Sequence, residues 1–133
     1  MSTPDRVALH TRVVSGSGDG HDKTNLNAPR VLKSRGYPMV CAYLRDPADT
    51  LFEQLELRAK KWQAPLVAVQ ERGALDWRVA SRVNDLCAHH QPAIWHGHDY
   101  KPNLLGLIAR RRHPLRLITT VHSWVKHISK TPL

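Results

Sequence analysis

Short apolar runs recur along this chain, separated by longer stretches in which apolar residues return every three or four positions. The runs are RVALHTRVV (residues 6–14), YPMVCAYL (37–44), PLVAVQ (65–70), AIWH (93–96) and RLITTV (116–121). They are short and mostly apolar, which fits strands buried on both faces of a parallel sheet. Between them, Leu51, Leu55, Ala59 and Trp62 share one helical face. Val79, Val83, Leu86 and Cys87 share another, on a helix that Asp76 can cap and that runs to about His90. Residues 25–34 read as a short helix closed by Gly36 in the C′ position. Pro29 lacks the N–H that a helix interior needs, so regular hydrogen bonding is expected to start near Asn27. Pro102 suits a first helical position and opens a helix to Arg111 or so.

Strands alternating with helices imply right-handed βαβ crossovers. The expected fold is a Rossmann-like three-layer α/β/α sandwich with a five-stranded parallel sheet in the order 3-2-1-4-5, forming one domain over residues 1–133. Such a sheet binds ligands at the carboxyl ends of its strands, where the order reverses between strands 1 and 4. The two most polar loops, SGSGDGHD and HGHDYK, follow those two strands. Their polarity therefore falls at the expected crevice.

Composition narrows the class. The 133 residues are 41% hydrophobic and 23% charged, ordinary for one globular domain. No window holds the run of about 18 apolar residues that a membrane span requires. The N-terminal MSTPDRVALH carries acid and proline where a secretory signal has an apolar core, so a cytoplasmic location is expected. Cys41 and Cys87 lie far apart and read as buried thiols.

Charge changes the picture more. Twenty Lys and Arg against eleven Asp and Glu give +9, a surface suited to polyanions or an anionic membrane face. The basic residues are dispersed, and the only cluster, RRRH at residues 110–113, reads as a solvated helix end. Without an RNP-like aromatic pattern or zinc-finger spacing, specific nucleic-acid binding is not expected. Asp85, Lys60, Lys61 and Arg82 read as solvated faces, Trp62 and Trp77 as packing residues, and His10 as a core histidine inside strand 1.

Three stretches carry candidate chemistry. The first loop holds Gly16, Gly18 and Gly20, whose backbone amides can approach a phosphate or substrate, although a plain surface loop has the same composition. The spacing is neither GxGxxG nor GxxxxGK[ST], so neither a nicotinamide dinucleotide nor a P-loop nucleotide site is expected. The second stretch holds His96, His98, Asp99, Tyr100 and Lys101. Histidines two apart point the same way on a strand, a beginning of many metal sites. The HxHxD spacing of metal-dependent hydrolases is absent, however, and structural hydrogen bonding or a polar substrate pocket are the competing readings. The third, TTVHSW, sets His122, Ser123 and Trp124 after strand 5, where an imidazole suits a sugar hydroxyl and an indole offers a face to a pyranose.

In order, VVSGSGDGHDKT, RGYPMVCAY, IWHGHDYKPNLLG and LITTVHSW resemble the N-terminal half of bacterial family 4 glycosyltransferases of the GT-B type. The resemblance implies a retaining transfer of sugar from a nucleotide-sugar donor to a hydroxyl of a glycan or lipid-linked acceptor, with no metal or other cofactor. It implies that Gly16, Gly18 and Gly20 lie near the donor phosphates and acceptor, and that His122 acts catalytically by contacting the transferred sugar. His98 and Asp99 would line the acceptor side, with Tyr100, Lys101, Ser123 and Trp124 beside them. Ser123 stands where many members carry glycine, and members commonly carry an acidic residue shortly after the glycine loop, where this chain has Gly20-His21-Asp22-Lys23. The C-terminal donor-binding domain of the family does not appear in the sequence, so a truncated, inactive fragment is expected. Two rivals come from other classes: a non-catalytic phosphate- or polyanion-binding module, and a metal-dependent hydrolase built on His96, His98 and His122.

Overall fold

A computed structural model describes residues 7–14, 20–73 and 76–121. Strands β1 (Ala8–Val13), β2 (Met39–Arg45), β3 (Leu66–Gln70), β4 (Ile94–His98) and β5 (Arg116–Thr120) alternate with helices α1 (Gly20–Ser34), α2 (Phe52–Lys61), α3 (Arg78–His90) and α4 (Tyr100–Ala109). All strand pairs are parallel and the sheet order is β3-β2-β1-β4-β5, as the alternation of patterns predicts.

The period-2 alternation of each strand divides the core between two faces. On one, Leu9, Ala42, Leu44 and Trp95 pack against Val79, Val83 and Cys87 of α3 and Leu105 and Ala109 of α4. On the other, Met39, Cys41 and Tyr43 pack against Leu26 of α1 and Phe52, Leu55 and Ala59 of α2. Both cysteines are free and buried, as expected, and burial pushes the Cys41 thiol up to about 12.

Helix α1 corrects the expected boundary. It starts at Gly20, not near Asn27, so Gly20, His21 and Asp22 of the expected glycine loop are helical and Pro29 lies in the interior. A proline there removes the donor that would meet the carbonyl four residues back. That carbonyl belongs to Asn25, and the buried Cys41 thiol of β2 donates to it at 3.4 Å. Tertiary packing supplies the missing partner, which local sequence does not reveal. The other end follows expectation. Gly36 has φ +83°, the Tyr37 N–H donates to the Leu32 carbonyl at 2.9 Å and the Gly36 N–H to Lys33 at 3.0 Å, a Schellman closure.

Two aspartates fix the other helix starts. Asp49 accepts from the Leu51 and Phe52 amides at 2.9 and 3.1 Å ahead of α2. Asp76, the expected cap of α3, accepts from the Arg78 amide at 3.1 Å and the Arg72 amide at 2.9 Å. Helix α4 begins two residues before Pro102, which sits in the first turn where no N–H is needed. The expected packing role of Trp77 does not hold: the residue is 82% exposed just before α3, while Trp62 packs against the α1/α2 core.

Candidate functional site

The reversal of strand order lies between β1 and β4, and the polar residues of β1 and β4 meet there in register. His10 stands opposite His96 across the parallel pair, and His98 stands opposite Thr120 of β5. These side chains share the α1/α2 side of the sheet, because Cys41 of that face is the register partner of His10 on β2. His96 Nδ1 lies 2.8 Å from His10 Nε2, and His98 Nε2 lies 3.3 Å from His10 Nδ1. His96 Nε2 is 2.6 Å from the Thr120 hydroxyl. The rings of His96 and His98 stack with centroids 4.4 Å apart, and His10 meets His96 edge-on at 4.2 Å.

Burial, reinforced by the positive charge that His96 or His98 would carry, lowers the His10 pKa to about 3. His10 is therefore neutral at physiological pH, with one ring nitrogen donating and the other accepting. Its placement inside strand 1 follows expectation. Its two histidine neighbours come from register between strands 86 and 88 residues apart in sequence, which one strand's pattern cannot display.

Immediately beyond His98, Asp99 has φ 67° and ψ −171°, a backbone region almost reserved for glycine. Its amide donates to the Thr120 carbonyl at 2.8 Å, and its carbonyl accepts from Asn103 at 3.4 Å in the first turn of α4. A tight turn from strand to helix at the crevice thus holds a non-glycine residue in strain. Close packing leaves the turn little room. A Cβ on Gly97 would strike the Asn103 side chain and lie 2.9 Å from the Asn103 backbone nitrogen.

On the β1 side, a buried cluster stands beneath the start of α1. Arg12 Nη1 donates to Asp22 Oδ1 at 2.9 Å, and the Tyr43 hydroxyl donates to the same oxygen at 2.7 Å. Burial first, and then the Asp22 charge, push the Tyr43 pKa up. A carboxylate in the first turn of a helix also suits the helix dipole. Nothing along the sequence links these three residues. Only the pairing of Arg12 with Tyr43 across β1 and β2 reveals the cluster.

The candidate residues do not all converge. His98 and Asp99 reach the crevice, and Gly20 opens α1 beside it. Tyr100 and Lys101 turn to the opposite layer, where they line a groove of about 430 Å³ between α3 and α4 with Trp77, Leu104 and Ile108. Lys101 is ion-paired there with Glu71. Gly16, Gly18, His122, Ser123 and Trp124 lie outside the described residues.

The sequence matches the profile described as Glycosyltransferase Family 4 over residues 19–133. The chain therefore belongs to glycosyltransferase family 4. Its fold is similar to that of a lipopolysaccharide outer core galactosyltransferase, WaaB, with TM-score 0.69 and 12% identity over 90% of this chain and 34% of that one. It is also similar to a glycosyltransferase from Rickettsia africae, with TM-score 0.62 and 15% identity over 88% of this chain and 30% of that one. The chain thus spans about a third of the length of either structure. No curated protein matches it in sequence. The Rossmann-like fold and the family expected from WHGHDYK and TTVHSW both stand.

Proposed function

We propose that this chain is the acceptor-side domain of a retaining glycosyltransferase that moves a sugar from a nucleotide-sugar donor to a hydroxyl on a glycan or lipid-linked acceptor. The observation that carries this reading is the strained Asp99 turn beside His98, at the carboxyl end of the sheet and at its β1–β4 switch point, in a family 4 chain. Strain of this kind concentrates where a ligand is gripped, because ordinary folding offers no reason to keep it. His98 and Asp99 would meet acceptor hydroxyls, and the Gly16–Gly18–Gly20 segment would lie toward the donor phosphates. His122, Ser123 and Trp124 would complete the sugar site, with His122 as the catalytic group. This reading assigns no cofactor, and the nucleoside diphosphate of the donor departs as the leaving group.

The test is titration of isotopically labelled chain with UDP-glucose, UDP-galactose and simple glycan acceptors, followed by amide chemical shifts. Shifts confined to residues following β1, β4 and β5, and weakened in His98→Ala, support the reading. Shifts elsewhere, or none with any of these compounds, overturn it.

A lipid-linked acceptor implies contact with a membrane surface, and two features support a peripheral site on the cytoplasmic face. The net charge of +9 favours anionic lipid, and Trp77 and Tyr100 are 82% and 83% exposed beside an apolar groove. No helix among the described residues is long and apolar enough to cross a membrane. Co-sedimentation with vesicles should rise with anionic lipid content and fall in Trp77→Ala; binding indifferent to both would remove the membrane from the reading.

A further inference from the structure

We propose that His10, His96 and His98 form a binding site for a borderline divalent transition-metal ion, Zn²⁺ in the first instance, on the seam between β1 and β4. The proposal departs from the metal-free expectation drawn from family resemblance; it shares His98 with the transferase reading, but it rests on the three histidines and is read out by metal binding, not by sugar binding. Each offers one ring nitrogen, and the three ligand atoms lie within 4.8 Å of one another. Tetrahedral zinc with Zn–N bonds of about 2.0–2.1 Å sets its nitrogen ligands roughly 3.3 Å apart. The His10–His98 contact already has that length at 3.3 Å, and the His10–His96 contact is shorter at 2.8 Å. These two contacts use different nitrogens of His10. Rotation of that ring, with a shift of the third ligand atom by an ångström or so, gathers one nitrogen from each.

One further contact favours a cation over a plain hydrogen-bonded trio. Thr120 holds His96 through Nε2, which leaves Nδ1 facing His10. A second group that grips the far nitrogen, and so orients the ring, is the usual companion of a histidine ligand. Three imidazoles and no carboxylate select zinc, copper or nickel over magnesium or calcium, which require oxygen ligands. The side of the sheet that carries the trio is open toward β5, where Ile118 is 47% exposed, so a fourth ligand can come from water.

The test uses the full 133-residue chain without an affinity tag, freed of metal by chelator and titrated with zinc chloride in a calorimeter. One ion per chain is expected, with affinity reduced about tenfold or more by His10→Ala and His98→Ala and about tenfold by Thr120→Val, in line with the effect of removing groups that orient ligands. His89→Ala/His90→Ala, which removes the other adjacent histidine pair, is expected to leave binding unchanged. Absence of saturable binding, or binding lost with His89 and His90 instead, overturns the proposal and leaves a hydrogen-bonded relay. Should the single variants fail to fold, imidazole ¹⁵N shifts of the native chain decide. Zinc must move those of His10, His96 and His98 at one equivalent, and unmoved signals reject the site.

Discussion

At Asp99 the chain holds φ 67° on a residue with a Cβ, at an expense of about 1–3 kcal/mol. The strain can be isolated by comparing two variants, since Asp99→Ala and Asp99→Gly both remove the carboxylate but only glycine relaxes the backbone. Asp99→Gly should be the more stable by about 1 kcal/mol or more, after allowance for glycine's greater unfolded-state freedom. Equal urea midpoints would mean that the turn carries no stored strain. The neighbouring glycines answer to packing. Gly97→Ala drives a methyl toward the Asn103 backbone, and Gly106→Ala drives one to within 2.6 Å of Trp95 Nε1, whose indole donates to the Pro102 carbonyl at 2.9 Å. Overpacking of this kind costs about 1–3 kcal/mol, and both variants should lower Tm. The HGHD pattern displayed the candidate residues. It displayed neither the strain nor the closeness of α4, because both arise from how the turn is docked.

Among the elements, the helix ends show where pattern suffices and where it does not. Gly36 closes α1 as its position after the last apolar turn predicts, and Asp76 caps α3. The Arg72 amide, then the Arg78 side chain and amide, hold the Asp76 pKa down to about 2 from an ordinary value of 3.8. A depressed carboxylate pKa stabilises the folded state above the unfolded value and loses that contribution as pH falls toward the folded one. Native protein should therefore exceed Asp76→Asn in urea midpoint at neutral pH, with the gap closing between about pH 4 and pH 2. A gap that persists through that window would assign the effect to hydrogen bonding without charge. Helix α1 runs the other way: Pro29 argued for a late start, and the Cys41 thiol on a different strand made the early start tolerable. A rule about one helix cannot anticipate a donor from the sheet beneath it.

For the molecule as a whole, family membership and the chain's span of about a third of related structures bear on activity together. Transition-state stabilisation of a departing diphosphate needs several preorganised donors. The described crevice offers the histidine trio, the Asp99 turn and the start of α1 on one side. The 133-residue chain by itself should therefore bind sugars weakly and show no transferase turnover. Turnover by the pure chain, abolished by His122→Ala, would show that one domain is enough.

Sequence alone determined the order of elements, the parallel sheet, its switch point and the family, because these follow from short-range periodicity and from motifs that are contiguous along the chain. The polar stretch after strand 4 was legible for the same reason. Tertiary structure decided the rest. It joined His10 to His96 and His98, and Arg12 to Asp22 and Tyr43, through register between strands, and sent Tyr100 and Lys101 to the opposite layer. Register and helix docking are set by the whole sheet closing around two cores, so no local pattern encodes which distant side chains will meet.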